Sequence, residues 1–294
     1  MSEIMKLYKT VVRDRWEIGF VEGGLDTVMG NAPINVNWLK HKYKDRWFAD
    51  PFILDVTESE IVVLAEEYQY KTNKGRIAEL IVDKQSYALK ELHIILELDS
   101  HLSFPAIMRV GGRVFVYPES WGTGNLVIYE YIGRDIPMKK WLTVCDDPLA
   151  DGVISELFGK RQLFATQQND ILRVYDFFKD KDKFILMKEM DFGIATARNG
   201  GDFFEYGGKI FRPAQVCVNR YGEAIEIQEV VEENGVLCFN PIKRLYSPHT
   251  KLKTGMHTLN CNTNMVVIDV HGYVYPRIVC AIKRIKSFWV KCNM

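Results

Sequence analysis

The chain carries no excess charge: its 38 Lys and Arg balance its 38 Asp and Glu. No global field therefore pulls it onto nucleic acid or an anionic surface. Its opening stretch, MSEIMKLYKTVVRDRWEIGF, has no apolar core of signal-peptide length, and no run approaches the roughly 18 apolar residues of a membrane span. These absences lead to the expectation of a cytoplasmic protein with no membrane span. The six cysteines form no C-x-x-C pair and no metal-type cluster with the six histidines. Free buried thiols are expected, and neither a metal nor another cofactor. The glycine pairs in VEGG, VGGR and YGGK lack the strand-to-helix context of a phosphate loop and read as hairpin turns. Helical periodicity is nearly absent, and the one helix-compatible stretch, Asn35 to Tyr43, reads equally well as a loop.

What is present is strand. Runs of β-branched and aromatic residues such as EIVVLAEEY, RVFVYPES, NLVIYEYI and NMVVIDVHGYVYP recur along the chain, separated by Gly, Asn-Gly and Asp-rich turns. Aligned on hairpin glycines, FPAIMRVGGRVFVYPE, DGVISELFGKRQLFAT and GGDFFEYGGKIFRPAQ are three copies of one strand–turn–strand unit. DPFILDVTESEIVVLAEE fits the same frame, and GMHTLNCNTNMVVIDVHGYVYP is a weaker fifth copy. The hairpin glycines step by about 47 and then about 49 residues, from Gly112 to Gly159 to Gly208, a length suited to a four-stranded antiparallel blade. The expected architecture is all-β: a single five-bladed β-propeller over residues 1–294, its N-terminal residues completing the last blade or packing beneath it. A β-sandwich or two stacked sheets is the alternative.

In a propeller the first strand of each blade lines the central channel and the second returns to the same rim. Under the alignment Asp50 and Asp151 share one register at the start of inner strands, with Pro51 where a missing N–H is tolerated. Glu66, Glu119 and Gln215 share a second register, at the ends of returning strands. Carboxylates distant in sequence thus converge on one funnel. Of the tandem Glu66 and Glu67 only one can face it, and the register selects Glu66.

At these residues the chain resembles a known group. The FADPF stretch, five units and an aspartate opening the third unit look like the five-bladed furanosidase-type glycoside hydrolases, especially glycoside hydrolase family 43. That resemblance implies a general base at Asp50 and an orienting, pKa-tuning carboxylate at Asp151. It also implies a glutamate general acid in unit four, but the run Asn199-Gly200-Gly201-Asp202 stands there, leaving Asp202, Glu205 or Glu119 as substitutes. WFADPF, HLSFPAIMRVGGRVFVYPES, ARNGGDFF and GMHTLN resemble, more closely, the N-terminal domain of plant glucosamine inositolphosphorylceramide transferases and its bacterial relatives, for which no catalytic assignment is implied.

The remaining candidates surround this set. Trp121, two residues beyond Glu119, offers a flat face to a sugar ring, or the pair is simply a surface loop. Arg198 and Asp202 flank a double glycine and either contact ligand or pair with each other. Arg212, inside the strand KIFRPAQ, requires a partner such as Asp202 or an anionic ligand. His257 hydrogen-bonds a sugar hydroxyl or plays a structural part. The basic tail IKRIKSFWVKCN (Ile282 to Asn293) reads as a closing edge strand with a solvated face in preference to an RNA-binding segment. The leading expectation is a glycoside hydrolase-like protein binding a glycan or glycoconjugate, inverting if Asp50 acts as base and Glu119 or Asp202 as acid. A non-catalytic sugar-recognition module in glycoconjugate biosynthesis is the second reading and a protein-binding propeller the third. Nucleic acid is not an expected partner, and oligomeric state stays open.

Overall fold

The computed structural model describes residues 13–119, 121–275 and 278–279. Strand β1 (Asp14–Val21), a short helix α1 (Gly24–Met29) and strand β2 (Val36–Trp38) come first in the chain. Blade one is β3 (Arg46–Val56), β4 (Glu60–Gln69), β5 (Lys74–Asp83) and β6 (Leu89–Leu96). Blade two is β7 (Ser103–Val110), β8 (Arg113–Glu119), β9 (Leu126–Tyr131) and β10 (Lys139–Cys145). Blade three is β11 (Ala150–Leu157), β12 (Lys160–Gln168), β13 (Ile171–Phe178) and β14 (Lys183–Asp191). Blade four is β15 (Phe204–Tyr206), β16 (Lys209–Val216), β17 (Ala224–Glu233) and β18 (Val236–Leu245). The fifth sheet takes β19 (Leu259–Asn262) and β20 (Met265–Tyr273) from one end of the chain and β1 and β2 from the other, in the order β19-β20-β1-β2. The ring is thus closed by antiparallel pairing of β20 with β1, Asp14 opposite Tyr273 through Val21 opposite Val266. The architecture is the expected five-bladed β-propeller.

Alternation along each strand explains the packing. Both faces of the inner strands meet protein, so β4 reads as the near-continuous apolar run Ile61 to Ala65, every residue buried. Five large apolar clusters follow, one per junction between neighbouring blades. Blades one and two share Leu54, Leu64, Val116 and Val127, for example, and blades five and one share Ile18, Phe20, Ile61 and Val267. No blade buries its faces alone, so the ring stands or falls as a unit.

Two expectations are corrected locally. Residues 36–38 are the outer strand of the closing sheet, not helix or plain loop, because Val36 and Trp38 pair with β1. The VEGG pair is not a hairpin turn. Gly23 caps helix α1, and Gly24, at φ 59°, opens it where a Cβ would lie 1.7 Å from the Asn264 carbonyl oxygen. Cys145, Cys217, Cys238 and Cys261 are free thiols, as expected. Among the described residues no helix is long and apolar enough to cross a membrane. The basic tail lies outside the described residues.

The contact at Gly24 ties the chain's first helix to the β19–β20 turn, helped by the Leu25 N–H donating to Asn264 Oδ1 at 3.2 Å. Gly24→Ala is expected to cost about 2 kcal/mol or more, from the left-handed backbone and the blocked approach together. Urea unfolding of the two proteins checks it.

Candidate functional site

The inner strands of blades one, two and three each leave their partner for two residues. In blade one the register jumps between Ala49 opposite Glu66 and Phe52 opposite Leu64; in blade two between Ser103 opposite Glu119 and Ala106 opposite Tyr117; in blade three between Ala150 opposite Thr166 and Val153 opposite Phe164. The first residue of each bulge takes a positive φ: Asp50 at 49°, Phe104 at 46° and Asp151 at 48°. Asp50 therefore sits mid-strand at a bulge, not at a strand start, and Pro51 is accommodated because a bulged residue owes no ladder hydrogen bond. In blade four Asn199 stands opposite Ala214, and in blade five Gly255 stands opposite His271, which gives Asn199 and His257 the same ring position. The ring is Asp50, Phe104, Asp151, Asn199 and His257. Behind it the returning strands set Glu66, Glu119, Thr166 and Gln215 at a second shared level.

Two clusters fill this ring. On one side Asp269 Oδ1 accepts the backbone N–H groups of His257 (3.1 Å) and Thr258 (3.0 Å), and Asp269 Oδ2 accepts that of Asp50 (3.0 Å). His257 Nδ1 lies 2.8 Å from Asp269 Oδ2, and its Nε2 lies 3.5 Å from Asp50 Oδ1. Asp50 accepts Thr258 Oγ1–H at 2.8 Å and the Phe104 N–H at 3.1 Å. On the other side Arg198 binds Asp151 at 2.7 Å and reaches Glu119 at 3.7 Å. Gln215 Nε2 donates to Asp151 Oδ2 at 2.7 Å, and the Asp151 N–H donates to Glu119 Oε2 at 3.0 Å.

Burial dominates the acid–base properties. It pushes Asp50 up to about 6, with the His257 charge pulling the other way. Glu66 lies well above the ordinary carboxylate range through burial and the fields of Asp50 and Glu119. Glu119 is raised too, by burial and then by Asp151, with Arg198 opposing. His257 goes the other way. Burial would lower it, but the Asp269 and Asp50 charges outweigh that and hold it at about 9. Asp50, His257 and Asp269 are close enough to suggest a cation site. The protonated imidazole and the N–H groups already committed to Asp269 make it an internally neutralised cluster instead.

The structure gathers most of the sequence-chosen residues and separates others. Asp50, Glu66, Glu119, Asp151, Arg198, Gln215 and His257 converge. Glu67 turns away, to Arg46 at 2.6 Å and Arg76 at 2.9 Å. Asp202 lies three residues beyond Asn199, before β15, with its N–H on the Asn260 side chain and its carboxyl raised by burial to about 7; no other carboxylate contributes to that shift. It pairs with neither Arg198 nor Arg212. Arg212 is fully buried without any carboxylate partner, bonding Asn199 Oδ1 and Gln228 Oε1 at 2.7 Å each and the Ala197 carbonyl, with its guanidinium over Phe192 and Phe239. Burial lowers it to about 9. Trp121 occupies a 3-10 turn and is 46% exposed, outside the packed cluster. Glu205 is exposed at the β15 turn.

The rings nearest the carboxylates were not foreseen. Trp16 of β1 stacks on His257 at 4.0 Å, and Tyr221 of the β16–β17 loop meets His257 edge-on at 5.4 Å and lies 5.1 Å from the Arg198 guanidinium. Gly222 permits this, since a Cβ there would meet His257 Cβ at 2.7 Å. Neither ring belongs to a repeat, so alignment could not find them. Asp269 and Asn199 had a signal: an acid inside an apolar run, and the residue aligned with Asp50 and Asp151.

A family model described as "Glucosamine inositolphosphorylceramide transferase 1, N-terminal" matches residues 34–238. Glucosamine inositolphosphorylceramide transferase 1 of Arabidopsis thaliana is 27% identical over 199 residues, 63% of this chain and 25% of that protein. Its namesake from Oryza sativa subsp. japonica is 24% identical over 202 residues, 64% of this chain and 27% of that protein. The chain spans about a quarter of the length of these curated relatives. Among solved structures, a GH43_1 enzyme from Xanthomonas citri complexed with xylotriose aligns with TM-score 0.54 at 10% identity, covering 80% of this chain and 92% of that one. Its complex with xylose gives 0.53 over the same shares. These establish the shared fold.

The charge pair at the ring's centre has a pH signature. A histidine raised to about 9 contributes stability that is complete below its unfolded value near 6.5 and lost as pH climbs through 9. His257→Gln is expected to flatten the stability change across that window, by at most about 3 kcal/mol. Urea midpoints at pH 6 through 10 read it out.

Proposed function

Because the chain belongs to the family of the glucosamine inositolphosphorylceramide transferase 1 N-terminal region, we propose that its funnel binds a sugar residue of a glycoconjugate. One observation carries this reading. At the level of the returning strands, Glu66 Oε1, Thr166 Oγ1 and Gln215 Oε1 are buried without a hydrogen-bond partner among the described residues, although His101 Nε2 stands 3.3 Å from the first. Unmet buried polar atoms are costly, at about 1–3 kcal/mol each. A hydroxyl-rich ligand supplies donors of the kind these acceptors lack. Asp50 and Asp151 add charged acceptors, Arg198 a donor, and the half-exposed Tyr221 ring a flat apolar wall for the C–H face of a sugar. The name of the relatives puts sugars carried on inositol phosphate lipids first in the ligand panel.

Hydrolysis is the second reading, favoured by two carboxyls at the ring, Asp50 and Glu119, that burial raises above the ordinary range. Asp50, pushed by burial to about 6, suits the base that activates water; Glu119, raised above the ordinary carboxylate range by burial and then by Asp151, suits the group that protonates a leaving oxygen. Against turnover stands Asn199. At the ring position of blade four its amide is saturated, donating to the Asp151 and Phe164 carbonyls at 2.7 and 2.9 Å and accepting from Arg212, and it has no proton to deliver.

Calorimetric titration with methyl glycosides and glucosamine, beside turnover of a nitrophenyl glycoside panel, separates the readings. Binding without turnover is the expected result. If turnover occurs, Asp50→Asn is expected to lower kcat by about 100-fold or more with little change in affinity, and the rate to rise through pH 6 as Asp50 ionises. Absence of binding to any sugar tested defeats both readings.

A further inference from the structure

Beside the funnel, where blade five meets blade one, a second cleft of about 560 Å³ opens. Its walls hold five cationic side chains, Arg13, Arg15, Lys42, Lys44 and Arg46, and no carboxylate. In a chain of zero net charge this is a strong local asymmetry. The nearby acids account for two of the five. Glu17 binds Arg15 at 2.5 Å, and Asp45 and Glu67 hold Arg46 at 2.7 and 2.6 Å. Arg13, Lys42 and Lys44 have no ion-pair partner among the described residues. Arg13 is instead poised over the Tyr70 ring at 4.2 Å, and Arg46 over Tyr43 at 4.7 Å, so two guanidinium groups are held in fixed orientation. His41 Nδ1, also in this wall, is buried without a hydrogen-bond partner.

We propose that this cleft binds a phosphoryl group on a small molecule, a phosphomonoester or phosphodiester of a sugar or polyol. Uncompensated cations between low-dielectric aromatic walls focus a positive potential, and the Arg13 guanidinium, held over the Tyr70 ring, presents N–H groups that match phosphate oxygens in a pair. The volume falls in the range of small-molecule sites and suits a phosphorylated monosaccharide in preference to a polymer. Trp16 is the shared partition. It lines this cleft and stacks on His257 of the funnel, so a phosphoryl group here lies one indole away from the carboxylate ring. The inference rests on the cleft's own charges and stands whether or not the funnel takes a sugar.

The test uses the full chain and two exposed lysines. Glucose 1-phosphate, glycerol 3-phosphate and inorganic phosphate are titrated calorimetrically beside neutral glucose, at low and high salt. Flotation with phosphatidylcholine vesicles, with and without phosphatidic acid, separates a lipid headgroup from a free phosphate ester. Phosphate-bearing probes are expected to bind and glucose not to bind in this cleft, with affinity falling as salt rises. The double variant Lys42→Glu, Lys44→Glu is expected to weaken phosphate binding about tenfold or more, while its melting curve and any neutral-glycoside binding in the funnel stay as in the parent. Equal binding by parent and variant, no binding of any phosphate probe, or binding of single-stranded oligonucleotide alone overturns the proposal.

Discussion

The carboxylate of Asp269 is the interaction on which the rest of the molecule's centre depends. It sits fully buried on β20 and accepts N–H groups from Asp50, His257 and Thr258 together with the His257 imidazole. Burial alone would raise its pKa, yet the His257 charge and these hydrogen bonds hold it below the usual range. One side chain thereby joins the last blade to the first and fixes the backbone at the Asp50 bulge. An uncompensated charge in that place would be prohibitive. Here the cost is offset by three backbone N–H donors and the charged imidazole.

From that anchor the polarity of the funnel follows. An anionic Asp269 keeps His257 protonated, and His257 in turn limits how far burial raises Asp50. Across the channel Arg198 pairs with Asp151 and opposes the rise that burial imposes on Glu119. Beneath both, Arg212 is clamped by amide and carbonyl oxygens alone, and its role is to hold Asn199 rigid at the ring. Fixed donors and acceptors of this kind recognise a polar ligand without first reorganising, which is what a hydroxyl-rich molecule taken from water requires.

Much of this was legible in the chain. The hairpin glycines at Gly112, Gly159 and Gly208 mark turns, and turns at constant spacing mark blades. Register then transfers from one blade to the next, because the inner strands of blades one to three bulge at the same point, so Asp50 with Asp151, and Glu66 with Glu119 and Gln215, could be matched from sequence. What the repeat could not carry was whatever departs from it. Trp16 enters from a strand that closes the ring out of sequence order, and Tyr221 from a loop with no counterpart in other blades. In unit four the acidic Asp202 drew attention from Asn199, although Asn199 holds the ring position. Arg212 was expected to pair with a carboxylate such as Asp202 or with an anionic ligand; it is instead ringed by oriented dipoles and two aromatic faces, with the Glu226 charge favouring its protonated form without a direct ion pair.

The pairing of β1 with β20 has a consequence for synthesis on the ribosome. Trp16 is made before the four blades that follow it and His257 and Asp269 after them, so the contacts that complete the funnel join segments on either side of those blades. Four blades emerge and associate while the fifth still lacks its inner half, and the first strand waits with an unpaired edge. Such distant contacts slow the final step. The carboxylate ring of the nascent protein is therefore incomplete until the closing hairpin arrives, and its assembly reports that the circle has shut.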